Sequence, residues 1–338
     1  IEAGYQNNCL KDILNVITPE RLKAVLNGEM NWENMTPEQL KAALTQAQTD
    51  DSGVDQAYAK QQLADLTQAA EASQDIYQIL QRYDIPNTVT NVLAMQAMMA
   101  DRNQMYRKIF GVGIDADEVT IEDLEEIRQE LLKEFGEAAS KPAAMAEAQE
   151  KLGELAENVM KTMINSEHVT SLDVREMKLL AAQLSVSSIL AKEEHYSVPV
   201  MVNDEMMNVS VKIVRGVDKK GIVDIMMESQ LRGKIAATFQ AKENGIHGFV
   251  ASDSRETADL LQQEAARLTE TLSAADDEVR DLHCAYIADL SLNYFSEPFT
   301  GEEAQTQRED NSGEAYQIQT VRLYRIAESF LKMIKETL

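Results

Sequence analysis

The hydrophobic pattern of this sequence changes its period near residue 195, and this change constrains the fold more than any other feature. Up to about residue 192 the apolar residues recur at intervals of three and four, which is the spacing of an amphipathic helix. From Tyr196 onward they alternate with polar residues, which is the period of a half-buried strand. The sequence therefore predicts an α+β fold, in which an all-helical N-terminal region precedes a small mixed β-sheet.

Capping residues mark the starts of several predicted helices. The repeat TPERLKAVL at 18–26 and TPEQLKAAL at 36–44 supplies Thr18 and Thr36 as N-caps, with a proline at each first helical position. Thr120 is predicted to cap a later helix in the same way. The N-terminal region therefore predicts a set of helices joined by turns.

Four methionines, at positions 95, 98, 99 and 105, recur at helical spacing. Such a stripe is either a soft, adaptable groove for a partner helix or a helix core filled with methionine. The second interpretation is the more common arrangement, and the sequence alone leaves both open.

Short turn signals separate the predicted strands of the second region. Asn203-Asp204 joins the first two strands, and Asn244-Gly245, the strongest local hairpin signal, joins the fourth and fifth. Residues 278–287, EVRDLHCAYI, have the composition of a further strand. These signals predict a sheet built mainly from hairpins.

Two helices are predicted to accompany this sheet. Asp253 is expected to cap the first, and Glu256, three residues on, completes a capping-box pattern. A polar segment at 296–313 is predicted to be a flexible connection to the second helix. The second helix is predicted to dock through one apolar stripe, formed by Val321, Tyr324, Leu331 and Ile334.

The net charge of −25 makes two classes of partner unsuitable. The acidic excess runs along the whole chain, so the protein repels nucleic-acid phosphates and anionic membrane surfaces. The least charged stretch, LLAAQLSVSSILA at 179–191, is too short to span a bilayer. We therefore expect no nucleic-acid partner and no membrane insertion, whereas a basic protein surface is a suitable partner.

Cysteine usage and the first residues favour the cytoplasm. Cys9 and Cys284 lie far apart in sequence, whereas a disulfide scaffold needs more cysteines in a much shorter chain. The residues from Ile1 onward do not show a basic leader followed by an apolar core, which is the pattern of a secretory signal. We expect a cytoplasmic protein with reduced cysteines.

The sequence lacks the common catalytic patterns. It contains neither the glycine-rich phosphate loop nor the dinucleotide-binding fingerprint. His195 and the pair His283-Cys284 lack the second ligand spacing of a metal site, and neighbours in a strand point to opposite faces, which argues against a nucleophile–base pair. We expect no enzyme activity, no metal and no cofactor, and an enzyme with a dispersed site is the least favoured alternative.

Residues 231–287 resemble the C-terminal domain of flagellar hook-length control proteins. In that family a Leu-Gly pair leads a strand, a polar hairpin returns a second strand, and a helix with paired leucines precedes a closing strand. Here Leu231 and Gly233 occupy the place of the pair, separated by Arg232, and GFVASDSRETADLL matches the junction between strand and helix. The resemblance extends over 196–290 when the earlier strands are included.

The resemblance implies a role in flagellar assembly. Proteins of this family contact the cytoplasmic domain of the switch protein in the type III export gate and change the exported substrate from hook-type to filament-type subunits. Hook-cap or hook subunits are further implied partners, and export through the flagellar apparatus is a second implied location.

The residues expected to bind the partner lie at the start of the fourth strand and after the fifth. They are Leu231, Gly233, Val250, Ser252, Asp253 and Arg255. An alternative interpretation makes Leu231 and Val250 core residues and Asp253 only a helix cap.

The same patterns divide the chain into four predicted segments. They are a helical domain at 1–192, a hook-length-control-like α+β domain at 195–292, a flexible linker at 293–315 and an amphipathic helix at 316–338. The alternative function is an acidic helical adaptor or export chaperone that acts through the helical domain. Whether that domain also measures hook length stays open.

Overall fold

The computed structural model describes residues 56–111, 122–138, 141–164, 171–216, 220–273, 278–296 and 314–338, and the isolated positions 36, 38, 39 and 42. The predicted caps Thr18 and Thr120, and also Cys9, lie outside the described residues. Thr36 Oγ1 accepts a hydrogen bond from the Gln39 backbone N–H at 3.4 Å, and Gln39 Oε1 accepts one from the Thr36 N–H at 3.0 Å. This reciprocal pair confirms Thr36 as an N-cap.

The described part of the N-terminal region is helical, as predicted. Its helices are α1 (Gln56–Ala70), α2 (Gln74–Arg82), α3 (Val89–Ala100), α4 (Gln104–Phe110), α5 (Glu122–Ala138), α6 (Pro142–Ile164) and α7 (Ser171–Lys192). Thr88 caps α3 by accepting a hydrogen bond from the Asn91 N–H at 3.2 Å. Met95, Met98 and Met105 are buried, so most of the methionine stripe is helix core, and only Met99 is exposed.

The second region forms the predicted mixed sheet. Its strands are β1 (His195–Val202), β2 (Glu205–Arg215), β3 (Gly221–Ser229), β4 (Gly233–Lys242), β5 (Gly245–Ser252) and β6 (Val279–Tyr286). The strands lie in sequence order, and β1 to β5 form an antiparallel meander. Between β5 and β6 the chain crosses over through helix α8 (Arg255–Ser273), so β6 pairs with β5 in parallel.

The two predicted hairpin signals act as expected. Asn203 and Asp204 both adopt positive φ, 47° and 63°, which is the conformation that a two-residue hairpin turn requires. Val202 then pairs directly with Glu205 across the turn. Gly245 has a φ of 131°, and a side chain there would meet the carbonyl oxygen of Glu278, so the second hairpin needs a glycine at this position.

Helix α9 (Glu314–Thr337) packs against β1 to β4 and against α8, and α8 also contacts β5 and β6. Tyr324, Leu331 and Ile334 are buried in this core, as predicted. The prediction for Val321 was wrong, because that side chain is 60% exposed. The buried stripe of α9 runs instead through Leu323, Ala327 and Phe330.

The contacts divide the chain into two compact units. One comprises 1–105 and 156–189, and the other comprises 106–155 and 190–338. The second unit holds the sheet, α8 and α9, with α5 packed against β1 and α9. The four predicted segments were defined as parts that fold independently. Contacts within one structure do not test independent folding, so the limits of these segments remain predictions. Within the described residues, no helix combines the length and apolar character needed to cross a bilayer.

Candidate protein-interaction site

The sheet topology brings two predicted site segments to one end of the sheet. The turn between β3 and β4 leads into Gly233, and Ile235 of β4 pairs with Ser252, the last residue of β5. Ser252 also pairs with Tyr286, the last residue of β6. We call the residues that this end exposes the junction surface, which consists of Leu231, Arg232, Asp253, Arg255, Glu256 and Tyr286.

Leu231 is the most exposed large apolar side chain among the described residues, at 69%. The turn that carries Leu231 is stabilised by Ser229, whose Oγ accepts hydrogen bonds from the N–H groups of Leu231 (3.2 Å) and Arg232 (3.0 Å). Ser229 Oγ in turn donates to Glu205 at 2.7 Å, and Glu205 also accepts from the Gln230 N–H at 2.6 Å. The backbone of the turn is therefore ordered before any partner binds, so binding needs to order only the Leu231 side chain.

Gly233 and Asp253 fit together in a way that only glycine allows. Gly233 has a φ of +75°, and the Cβ of any other residue would overlap the carboxylate of Asp253. That carboxylate accepts a hydrogen bond from the Lys234 N–H at 2.7 Å, and the Asp253 N–H donates to the Lys234 carbonyl at 3.2 Å. Asp253 therefore fastens the start of β4 to the end of β5.

The predicted capping box at the start of α8 was wrong. Helix α8 begins at Arg255, and Ser254 is its N-cap, because Ser254 Oγ accepts from the Thr257 N–H at 3.3 Å. The carboxylate of Asp253 is engaged with β4, one strand away. Glu256 extends into solvent and pairs with Arg232 at 3.2 Å.

Arg255 and Tyr286 form the far side of the junction surface. The Arg255 guanidinium carbon lies 4.6 Å from the centre of the Tyr286 ring, which is the geometry of a cation–π contact. Tyr286 is 41% exposed, and Ile287 next to it is also exposed. This side of the surface therefore offers apolar area and positive charge together.

Two of the predicted contact residues face inward. Val250 and Ser252 are buried, and Ser252 Oγ accepts a hydrogen bond from the Ser254 N–H at 3.2 Å. The Ser252 carbonyl accepts from the Ile287 N–H at 2.9 Å, which ties β5 to the residue that follows β6. These side chains can shape the junction surface but cannot touch a partner. The alternative interpretation made both Val250 and Leu231 core residues. It is correct for Val250, which is buried, and wrong for Leu231, which is exposed.

Two histidines of the sheet, His195 and His247, make contacts within the chain and are not members of the junction surface. His195 is buried, with Nε2 3.2 Å from Ser210 Oγ and its ring against Phe295. His247 Nδ1 lies 2.9 Å from Asp281, and this contact lowers the pKa of the Asp281 carboxyl below its ordinary value. Within the described ranges, no group of three His, Cys, Asp or Glu side chains is placed to hold a metal ion.

No family model, curated protein or solved structure matches this chain. The site therefore rests on its geometry: an ordered turn and a helix start that display one exposed leucine, one exposed tyrosine and two arginines. Sequence reasoning missed Glu205, Arg232 and Tyr286. Only the strand order could have identified them, because each belongs to a different strand or turn.

Proposed function

We propose that this protein is a non-enzymatic protein-binding module of the hook-length-control type. It contacts the cytoplasmic domain of the flagellar export-gate switch protein and changes the exported substrate from hook-type to filament-type subunits. The element order β4, hairpin, β5, α8, β6 supports this proposal, because it follows the strand, hairpin, strand, helix, strand order of the resemblance.

The observation that carries the proposal is the pre-ordered exposure of Leu231. Leu231 is 69% exposed, so it buries little apolar area within the chain, and it stands on a turn held by two hydrogen bonds of its own and two to Glu205 of β2. Apolar residues held in this manner, with polar residues around them, are typical of an anchor that inserts into a pocket on a partner. Arg232 and Arg255 flank the anchor, and each is oriented by a contact, to Glu256 and to Tyr286 respectively.

The charge of the chain supports a partner with basic character. A net charge of −25 attracts a basic surface over a range of about one Debye length, roughly 8 Å at physiological salt. This attraction acts between the molecules as a whole and accelerates encounter. The orientation of the complex is decided by the anchor and by the two arginines, which need acceptor groups opposite them on the partner.

The test introduces an aspartate at two exposed apolar positions, one on the junction surface and one outside it. Leu231→Asp changes the junction surface, and Val321→Asp changes a side chain that is 60% exposed on α9. Both variants should keep the stability of the parent protein, because neither side chain is buried. We expect Leu231→Asp to weaken binding of the purified switch-protein domain at least tenfold in calorimetry, and to stop filament-subunit export, whereas Val321→Asp changes neither.

Two results would count against the proposal in different ways. If the parent protein does not bind the switch-protein domain, the assignment to hook-length control is wrong. If it binds and Leu231→Asp binds equally well, the partner is correct but the junction surface is not the site. Arg255→Glu provides the second variant, since it removes the cation–π contact without touching the turn.

A second candidate function, the helical adaptor or export chaperone, is favoured by a cleft in the first unit. Arg175 of α7 donates two hydrogen bonds to Asp65 of α1, at 2.7 Å from Nε and 2.6 Å from Nη2. The cleft beside this pair is lined by polar and apolar side chains of α1, α3 and α7. Pull-down with Arg175→Met and with Leu231→Asp separates the two candidates, because each substitution removes binding in only one of them.

A further inference from the structure

Within the described residues, the outer edge of β6 is an unpaired edge of the sheet. On the opposite edge strand, β1, the Ser197 carbonyl already accepts a hydrogen bond from the Tyr106 hydroxyl at 2.7 Å. Among the described residues no strand pairs with β6 on the side away from β5, although β6 is eight residues long. A strand edge of this length presents a row of backbone donors and acceptors to any extended segment.

The hydrogen bonds to β5 identify which residues of β6 face outward. The Ile287 N–H donates to the Ser252 carbonyl, so Ile287 directs its backbone toward β5. Because this direction alternates along a strand, the N–H and C=O groups of Leu282, Cys284 and Tyr286 point away from β5. A bulge opposite Ile246 and His247 breaks the alternation before Asp281, so the regular outward ladder begins after it.

We propose that two copies of this chain pair through their β6 edges, antiparallel about a two-fold axis at Cys284. In this register each outward residue meets an outward residue of the second copy, and about six backbone hydrogen bonds close across the axis. The two sheets then form one continuous sheet.

The side chains that meet in this register favour a second copy of the chain as the partner of β6. Leu282 of one copy lies opposite Tyr286 of the other, so the pairing covers a tyrosine that is 41% exposed in the single chain. The dimer thus leaves to the proposed partner those members of the junction surface that lie outside β6, led by Leu231. On the other face His283 lies opposite Ala285. Shifting the axis to His283 would place the two His283 side chains against each other and would leave Tyr286 opposite a residue that belongs to the bulge.

The charge of the edge also permits self-pairing in a strongly acidic protein. Within 281–287 the only carboxylate is Asp281, which lies three residues from the axis. The two copies of Asp281 are therefore about 20 Å apart, beyond the Debye length of about 8 Å. Asp281 also has His247 beside it, at 2.9 Å. The paired edges thus avoid like-charge contacts.

The first test measures mass and register together. We expect the full chain to give a dimer mass in light scattering. In a Cys9→Ser background Cys284 is the sole cysteine, and mild oxidation should link two chains, because directly opposed residues have Cα atoms about 5.5 Å apart. The matched variant, Leu282→Cys with Cys9→Ser and Cys284→Ser, should not cross-link, because position 282 faces position 286 of the other copy.

The second test uses a charge pair at the same two positions. His283→Glu with Ala285→Glu places glutamates opposite each other on both sides of the axis, and we expect a folded monomer. His283→Lys with Ala285→Glu places a lysine opposite each glutamate, and we expect the dimer to persist. Thermal unfolding checks that both double variants are folded.

Several outcomes would overturn the proposal. A monomer mass for the parent chain at every concentration would exclude the dimer. Cross-linking at position 282 and not at Cys284, or a dimer that survives the paired glutamates, would exclude this edge or this register. Export of filament subunits plays no part in these readouts, so they are independent of the proposed function.

Discussion

The first three strands of the sheet and the last three are built from similar numbers of residues but are buried in different ways. Most side chains of β1, β2 and β3 are buried on both faces. In β4 buried and partly exposed residues alternate, and in β6 no residue is buried. Strand β5 lies between these extremes, since only His247 and Phe249 are not buried. The difference shows that the first three strands lie inside the unit, whereas exposure of the sheet increases toward β6.

Burial on both faces forces the polar residues of the first half to satisfy one another. His195 lies against Ser210, and the Asn208 amide reaches Ser197 Oγ at 3.5 Å. Asp224 of β3 accepts a hydrogen bond at 2.7 Å from Thr238 of the neighbouring strand β4, so this pair joins the two halves. Such internal pairs orient the strands but are inaccessible, which is why we place the candidate site on the second half.

Helix α9 is anchored to the sheet by residues in and next to the first two strands. Arg215 of β2 donates to Glu194 at 2.7 Å and 2.5 Å and to Thr320 of α9 at 2.7 Å, and its guanidinium lies over the Tyr316 ring. Tyr196 and Tyr324 share a hydrogen bond of 2.5 Å, and burial raises the pKa of Tyr196 to about 12. The helix is therefore held by a network that replaces water around both tyrosines.

The largest expected effect comes from removing a phenylalanine on one or the other face of the β4–β5 hairpin. Phe239 is fully buried against Phe330, whereas Phe249 on the opposite face is 46% exposed. We expect Phe239→Ala to lower the free energy of unfolding by about 3–5 kcal/mol and Phe249→Ala by less than about 0.5 kcal/mol. Urea unfolding measures both, and equal losses would show that the second half is covered on both faces as well.

The next effect compares a buried ion pair with an exposed one. Arg215→Met leaves Glu194 partly buried without its partner, and we expect a loss of about 3 kcal/mol. Arg267→Met removes exposed contacts to Glu336 and Glu264, and we expect a loss below about 1 kcal/mol. Unfolding in low and high salt checks the assignment, because only the exposed pair should be weakened further by salt. A small loss for Arg215→Met would show that the network does not anchor α9.

A third comparison uses two glycines. Gly233→Ala forces a residue with a side chain into positive φ and toward the Asp253 carboxylate, and we expect a loss of about 1–3 kcal/mol. Gly153→Ala places a methyl group in open space on α6, and we expect a gain of up to about 1 kcal/mol. Thermal unfolding gives both signs. Stabilisation by Gly233→Ala would mean that the turn before β4 is not constrained as described.

The smallest expected effect depends on pH. Burial raises the pKa of Asp224 above its ordinary value of 3.8, so the folded state holds the proton more tightly than the unfolded state does. Its contribution to stability is therefore present below the ordinary value and is lost as the pH rises through the folded-state pKa. We expect Asp224→Asn to stabilise the protein at pH 7 by less than about 1 kcal/mol, and to have no such effect near pH 4. A larger gain at pH 4 than at pH 7 would contradict this cause.

Much of the fold could be predicted because its signals are local. The change of period near residue 195, the turn at Asn203-Asp204 and the cap at Thr36 depend on neighbours within a few residues. The candidate site was predicted only in outline. Leu231 and Arg255 are exposed where the sequence analysis placed them, but Val250 and Ser252 are buried, and Tyr286 was missed.

The wrong prediction for the cap of α8 has a physical cause, which is competition between local and distant hydrogen-bond partners. Asp253 could bond to the start of α8 or to the backbone of β4, and both are reasonable for an isolated carboxylate. Pairing of β4 with β5 brings Lys234 within 2.7 Å, so Asp253 bonds there and Ser254 becomes the cap. Val321 follows the apolar period of α9, yet it is exposed.

The sequence by itself determined the class of the fold, the hairpins and the order of helix and strand, because hydrophobic period and turn chemistry act over short distances. Only the tertiary structure decided which face of α9 is buried, which residue caps α8 and which side chains meet at the junction surface. These depend on the strand order, which places Gly233, Ser252 and Tyr286 side by side although more than fifty residues separate the first from the last. Contacts over such separations are settled by the packing of the whole sheet, and no local pattern records them.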